Sequence, residues 1–121
     1  MTKILYVEDN EDNIFMLKMR LERKGYEVVV AMDGQDGVEK ACSILPDIIL
    51  MDVGLPVLDG YEATRQIKSG EETKNIPLIM LTAHALTSDE EKAMAAGADA
   101  YAAKPVNFKA LIEQIEELLA K

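Results

Sequence analysis

Five polar side chains follow apolar runs at points where strands are expected to end: Glu8, Asp9, Asp52, Thr82 and Lys104. Asp52 is the clearest case, because residues 47–51 form a run that is apolar on both faces, as in a central strand of a parallel sheet. An isolated aspartate after a strand is most often only a turn residue. The carboxyl ends of parallel strands meet at one sheet edge, however, so we expect the five groups to lie together there.

The expected cluster is rich in carboxylates, and these repel one another near a low-dielectric edge unless a cation offsets them. Asp9 and Asp52 supply the hard oxygen ligands that Mg²⁺ prefers, with Mn²⁺ as the alternative. A backbone carbonyl in the loop after Asp52, at Gly54, can add another ligand, and water can fill the rest. Glu8 has a longer side chain and is expected to orient a bound water.

The same cluster has the groups that phosphoryl transfer requires. Lys104 brings a positive charge toward Asp52, and Thr82 offers a hydroxyl donor. Metal, lysine and hydroxyl together would neutralise the oxygens of a phosphoryl group on Asp52. Carboxylate nucleophiles that form aspartyl phosphates are a known solution.

The elements that must position these groups alternate strand and helix five times. Strands are predicted at residues 3–8, 27–31, 47–51, 78–81 and 100–103. Each is followed by a helical pattern; the third helix is expected at about 61–68 after Asp59, and the fourth behind a capping box of Ser88 and Glu91. Residues 71–75 are expected to be a surface loop. Five such units predict an α/β, flavodoxin-like (βα)5 doubly wound parallel sheet of order 2-1-3-4-5, with helices on both faces.

Composition narrows the functional classes. A chain of 121 residues suits one domain, expected to span 1–121 with no output domain attached. No apolar run is long enough to cross a bilayer and no signal peptide opens the chain, so a cytoplasmic protein without membrane insertion is expected. The net charge of −9 disfavours a nucleic-acid partner. The lone Cys42 excludes an intrachain disulfide and is predicted to pack in the core.

Along its whole length the chain resembles the receiver domains of two-component response regulators. The motifs that carry the resemblance are Val7-Glu8-Asp9-Asn10, Met51-Asp52 followed by Leu55-Pro56 and Asp59-Gly60, Leu81-Thr82-Ala83, and Lys104-Pro105. The resemblance implies that Asp52 is the phosphoacceptor, that Glu8 and Asp9 are the acidic pair, and that Lys104 is the site lysine. It also implies a cis Lys104-Pro105 peptide.

Other implications of the resemblance concern switching and partners. Thr82 and Ala83 would contact the phosphoryl group, and Tyr101 would be the switch aromatic, with a simple core residue as the less favoured alternative. The phosphoryl group would come from a histidine kinase or histidine phosphotransfer protein, and the domain would promote its own phosphorylation and dephosphorylation. The donor would dock on Asn13, Ile14, Phe15, Leu17, Pro105, Val106 and Phe108. A downstream protein would bind the face formed by helix 4, strand 5 and helix 5, and the domain would be a monomer or weak dimer.

In the family that the chain resembles, positions 54 and 84 flank the path of the water that attacks the phosphoryl group. Glycine is a less usual residue at position 54, and the role of the histidine at position 84 has two alternatives. Gly54 removes a side chain from the phosphoryl pocket, which leaves water access open but unguided. His84 could orient water or shield the phosphoryl group, although an exposed or satisfied histidine is the usual outcome in such a turn. Both are predicted to tune dephosphorylation.

Two other functions are weighed against this one. Flavodoxins share the fold, but the acidic loop 8–12 would repel the FMN phosphate and lacks a Ser, Thr or Gly cradle. A metal-dependent phosphatase with an aspartyl-phosphate intermediate would need a second acid shortly after the nucleophile, and Gly54 is not one. Turnover of an external phosphoester would separate the phosphatase from the receiver. A stand-alone regulator and a receiver cut from a larger protein cannot be separated by the sequence.

Overall fold

A computed structural model describes residues 1–83 and 87–121. Strands and helices alternate along the chain. The strands are β1 (Lys3–Val7), β2 (Glu27–Ala31), β3 (Ile48–Asp52), β4 (Leu78–Thr82) and β5 (Ala100–Ala103). The helices are α1 (Glu11–Arg23), α2 (Gly34–Ile44), α3 (Gly60–Ser69), α4 (Thr87–Ala96) and α5 (Phe108–Leu119).

The strands form one parallel sheet in the order β2-β1-β3-β4-β5, which confirms the predicted fold. The register aligns Val7 of β1 with Met51 of β3, and Asp52 with Leu81 of β4. Strands β1, β3 and β4 therefore end at nearly the same level. The groups that follow them emerge at one edge of the sheet.

Helices cover both faces of the sheet, and each face has its own apolar core. One core contains Leu17 and Leu21 of α1 and Leu111 and Ile115 of α5, packed against β-strand side chains that include Ile4. The other contains small and apolar side chains of α2, α3 and α4, packed against the opposite side of the strands: Ala41, Ala63, Ile67 and Ala93. All of β3 is buried, as expected for a central strand covered twice.

Four helices begin at a polar residue whose side chain accepts a hydrogen bond from the backbone N–H three residues later. These caps are Asn10, Asp33, Asp59 and Asn107. Each cap satisfies a donor that the first helical turn leaves without a partner. The Asp59 cap is the predicted one, and it begins α3 within one residue of the predicted position.

Two local predictions were wrong. Helix α4 begins at Thr87, so Ser88 is already helical and is not the N-cap. Cys42 is exposed; the buried stripe of α2 passes through Gly34, Gly37 and Ala41, and Cys42 is turned about 100° from Ala41. The predicted surface loop at residues 71–75 is confirmed as an exposed turn, with one exception: Thr73 is buried, and its hydroxyl donates to the carbonyl of Ile67 at the end of α3.

Both edge strands carry a side-chain donor from a neighbouring helix. Lys40 of α2 donates to the carbonyl of Val30 on β2, at 2.8 Å. Gln114 of α5 donates to the carbonyl of Tyr101 on β5, at 3.0 Å. Such contacts occupy backbone groups that an open edge would otherwise offer to another strand. Across the described ranges, none of the helices combines the length and apolar character needed to cross a membrane.

Candidate functional site

Three carboxylates lie at the carboxyl edge of the two central strands. Glu8 and Asp9 follow β1, and Asp52 is the last residue of the adjacent β3. One oxygen from each of the three lies within 4.8 Å of the others. Glu8 and Asp52 are 1% and 6% exposed, whereas Asp9 is open to solvent. Two buried acids and one exposed acid therefore share one small volume.

Lys104 joins the two buried acids. Its ammonium group lies 2.7 Å from Oδ1 of Asp52 and 2.8 Å from Oε1 of Glu8. Burial opposes the charge on Lys104, but the hydrogen bonds and charges of Asp52 and Glu8 outweigh it and raise the pKa of the lysine. Lys104 therefore stays protonated. The Lys104-Pro105 peptide is cis, as the resemblance implied.

Glu8 is held from two further directions. The Tyr6 hydroxyl donates to its Oε1 at 3.4 Å, and the backbone N–H of Asn10 donates to its Oε2 at 3.3 Å. Burial and the Glu8 charge raise the pKa of Tyr6, so the phenol remains a donor. These contacts fix the position of Glu8 at the sheet edge.

The donor set fits a divalent cation. Hard cations such as Mg²⁺ take carboxylate, carbonyl and water oxygens, and the carboxylates of Glu8, Asp9 and Asp52 converge within the reach of one ion. The exposed Asp9 leaves a solvent side from which water ligands can enter.

The loop after Asp52 folds back on the strand end. The carbonyl of Val53 accepts from the N–H groups of both Leu55 and Gly60, at 3.0 and 2.9 Å. A Cβ at Gly60 would overlap the carbonyl oxygen of Asp52, so only glycine allows α3 to start so close to the site. At Gly54 the opposite holds, since a Cβ there would meet no heavy atom within 4 Å.

A family model described as the response regulator receiver domain matches residues 4–116. The chain belongs to this family. The match confirms the predicted family, whose members work in two-component and phosphorelay signalling.

Among the relatives of known name, two that align with 98% of this chain illustrate the kinds of protein that it resembles. The polar-differentiation response regulator DivK of Brucella ovis is 39% identical over 120 residues, which are 98% of each chain. The hybrid signal transduction histidine kinase I of Dictyostelium discoideum is 40% identical over 126 residues, which cover 98% of this chain but 7% of that protein. Receivers of both kinds of protein, a short regulator and a long hybrid kinase, thus resemble this one.

Solved structures show the same fold. The receiver domain of a sensor histidine kinase from Pseudomonas aeruginosa PAO1, with a magnesium ion coordinated in its active site cleft, superimposes with a TM-score of 0.93 at 40% identity, covering 99% of this chain and 98% of that one. A response regulator from Chloroflexus aurantiacus gives a TM-score of 0.95 at 33% identity, with 99% and 98% covered.

The predicted switch residues of this receiver lie at the end of β4, directly after it, and on β5. Thr82 is buried at the end of β4, next to the strand that carries Asp52, and its carbonyl accepts from the N–H of Lys104 at 2.7 Å. Ala83 is exposed. Tyr101 is partly buried, and loss of solvation together with the charge of the nearby Glu90 carboxylate raises the pKa of its phenol. His84 lies outside the described residues.

The predicted donor-docking residues surround a cavity of about 250 Å³ between α1 and the segment after β5. Five of them line it: Asn13, Leu17, Pro105, Val106 and Phe108. Of the other two, Ile14 is half-buried and Phe15 is 67% exposed. Leu17 is buried in the core beneath the cavity, so a partner could reach it only through that opening.

Sequence reasoning missed two residues of this region. Arg20 lines the cavity, with its guanidinium 5.5 Å from the centre of the Phe108 ring. Its spacing of three from Leu17 was a usable signal, because residues three apart share one side of a helix. Tyr6 lines the cavity and also contacts Glu8. It is two residues before Glu8, on the same face of the chain as it leaves β1.

Proposed function

We propose that this receiver accepts a phosphoryl group on Asp52 from a histidine kinase or a histidine phosphotransfer protein. The observation that carries the proposal is the contact of Lys104 with both Asp52 and Glu8 beside the open carboxylate of Asp9. This arrangement supplies a nucleophilic carboxylate and a fixed positive charge, together with a metal-binding set of acids. It suits a signalling protein that takes part in its own modification.

The transfer step follows from the geometry of Asp52. Lys104 holds the carboxylate through Oδ1, which leaves Oδ2 to attack phosphorus. The new O–P bond forms as the N–P bond of the donor phosphohistidine breaks, and the electron pair of that bond returns to the imidazole. The product is an aspartyl phosphate. Thr82, at the end of the neighbouring strand, would donate its hydroxyl to a phosphoryl oxygen.

Asp9, Asp52 and the backbone carbonyl of Gly54 would hold Mg²⁺, and Glu8 would orient a water ligand. When bound, the ion supplies positive charge against the phosphoryl oxygens. The magnesium in the active site cleft of the Pseudomonas aeruginosa relative supports this proposal.

Output from this receiver is proposed to pass through protein contacts. Phosphorylation would change affinity for a downstream protein on the surface of α4, β5 and α5, or the phosphoryl group would be relayed onward. The proximity of the Glu90 carboxylate of α4 to the Tyr101 phenol, whose pKa it helps to raise, supports a link between this surface and the site, because Tyr101 lies on the strand that leads directly into Lys104.

The test is labelling by a small phosphodonor in the presence of Mg²⁺. Asp52→Asn keeps the shape of the side chain but makes it a poor nucleophile, so labelling should fall to background. Asp59→Asn is the matched control, because asparagine also caps a helix well and the site is untouched. Normal labelling of the Asp52 variant would remove Asp52 as the acceptor. Repeated turnover of an external phosphoester would instead favour a phosphatase.

The donor-docking proposal has its own prediction. Phe15→Glu places a charge on an exposed apolar side chain of α1, and should slow transfer from a phosphorylated histidine protein by at least about tenfold, typical of a lost apolar anchor. Labelling by the small phosphodonor should be unchanged. Leu45→Glu, at another exposed apolar position, is the control. Equal losses with both donors would mean that the substitution had damaged the site.

A further inference from the structure

A groove of about 440 Å³ runs between β5 and α5 on the surface proposed above for output. Its floor and walls include Tyr101, Ala103, Ala110 and Leu111. The small alanine side chains leave room for side chains from outside. A volume of this size falls in the range of ~300–1,000 Å³ that ligand pockets occupy.

The rim of this groove is acidic on the α5 side. Residues 110, 113, 114 and 117 follow helical spacing, so they form one stripe of α5. Gln114 donates to the carbonyl of Tyr101, which shows that the stripe faces β5. Glu113 and Glu117 therefore flank the groove, and both are exposed.

The α4 side is acidic as well. Residues 91 and 94 and residues 90 and 94 are three and four apart, so they share one side of α4. The charge of Glu90 acts on the Tyr101 phenol and helps to raise its pKa, which indicates that this side faces β5. Met94 adds an apolar side chain that is 46% exposed. Lys92 is two residues from both Glu90 and Met94, which places it on the opposite side of the helix.

Fold stability does not account for these acids. Glu113 and Glu117 are like charges four residues apart, and Glu117 lies in the last turn of α5, where the helix dipole disfavours an acid. Within residues 1–83 and 87–121, neither of them nor Glu91 forms a salt bridge. Their charges are therefore available to a partner.

We propose that the groove binds a basic amphipathic segment of a protein, with apolar side chains in the groove and Lys or Arg side chains against Glu91, Glu113 and Glu117. The proposal rests on the output surface named in the proposed function and adds the chemistry of the partner. A second copy of this chain would bring acid against acid at the same surface. Nucleic acid would be repelled in the same way.

A designed helical peptide with leucine on one side and lysine on the other is the probe, titrated into the unphosphorylated chain by fluorescence anisotropy. The Glu113→Gln, Glu117→Gln double variant should bind it roughly fivefold more weakly, as expected from two lost surface ion pairs. The control is the Glu72→Gln, Glu116→Gln double variant, which removes the same charge at exposed positions off the stripe and should bind normally. A peptide with serine in place of leucine should lose binding to all forms.

Nuclear magnetic resonance locates the contact, and the backbone signals of Tyr101, Ala103 and Ala110 should shift most. Equal weakening in both double variants would mean general charge attraction and would overturn the proposal. Equal binding of the serine peptide would show that the groove is not used, and dimerisation abolished by filling the groove with Ala110→Leu would assign it to a second copy. Peptide binding without Asp52 labelling would overturn only the proposed phosphoacceptor function.

Discussion

At the scale of single residues, Lys104 is the group on which the site depends. It compensates two carboxylates, Glu8 and Asp52, that are almost fully buried. Removing one partner from a buried charge cluster leaves the remaining charges without compensation, and this costs far more than breaking a surface pair.

Lys104→Met should therefore lower the free energy of unfolding by about 3 kcal/mol. The raised pKa of Lys104 means that its contribution is complete at neutral pH and is lost only as pH rises above the ordinary lysine range. Denaturant unfolding at neutral pH measures the effect. Lys74→Met, which breaks the exposed pair with Glu71, should cost less than about 1 kcal/mol. Similar small losses in both variants would contradict a charge-compensating role for Lys104.

Substitutions at Gly54, in the loop after β3, and at Gly60, the first residue of α3, are expected to differ in their effect on stability. Gly54→Asn should leave the melting temperature nearly unchanged, because its side chain enters open space, and should change the rate of aspartyl-phosphate loss at every pH. Gly60→Ala should be destabilising, because its Cβ overlaps the Asp52 carbonyl. An unchanged decay rate in the Gly54 variant would remove that position from the control of phosphoryl lifetime.

His84→Ala is expected to flatten the pH dependence of aspartyl-phosphate decay between about pH 5.5 and 8, where histidine titrates.

The convergence of Glu8, Asp9, Asp52 and Lys104 could be predicted from the sequence, because each of these groups follows an apolar strand. The joint contact of Lys104 with Glu8 could not, since these residues are 96 positions apart and their pairing depends on side-chain directions at the sheet edge. Tyr6 was missed for a similar reason. A tyrosine inside an apolar strand is ordinarily core, and only packing shows where its hydroxyl points.

At the scale of elements, the turn after β3 contains a strained residue. Val57 has a φ of 68°, and the N–H of Leu58 donates to the carbonyl of Pro56 across it, at 2.7 Å. A β-branched side chain rarely adopts this conformation. Val57 is also 80% exposed, so its side chain gains little from packing in return.

Val57→Asn should relieve this strain, because asparagine tolerates positive φ. A gain of about 1 kcal/mol in the free energy of unfolding is expected, which raises the melting temperature by roughly 4 °C. Val57→Thr keeps the branched side chain and should give no gain. Equal stabilisation by both substitutions would point to the loss of exposed apolar surface instead of backbone strain.

Element types could be predicted well because the strands and helices have distinct periodicities, but local details depended on tertiary contacts. Cys42 fits an apolar stripe by spacing to Val38 and Leu45, yet α2 packs through its glycines and Ala41, which turn Cys42 outward. Thr73 is polar and lies between helix and strand, but its hydroxyl has a buried partner in α3. Neither outcome follows from the local sequence.

At the scale of the whole molecule, acidic side chains are in excess over the chain as a whole and are also concentrated at the site. The net charge is −9, and three of the acids converge at one point of the sheet edge. A cation that binds only the folded chain stabilises it by mass action. A metal ion bound by the acids at the site would therefore stabilise the whole fold.

Mg²⁺ at about ten times its dissociation constant should raise the free energy of unfolding by about 1.4 kcal/mol. Asp9→Asn should reduce this gain, because it removes one of the converging oxygens. Asp12→Asn changes the net charge equally but lies in α1 outside the acidic cluster, and should keep the gain. A full Mg²⁺ effect in the Asp9 variant would exclude Asp9 from the metal site.

The central claim is that Asp52 is the phosphoacceptor of a metal-dependent receiver. Mass mapping of the wild-type chain after incubation with a small phosphodonor tests it most directly, with and without Mg²⁺. The account predicts one phosphoryl group per chain, on the peptide that contains Asp52, and only when Mg²⁺ is present. Modification of a different residue, or equal modification after the metal has been removed by a chelator, would contradict it.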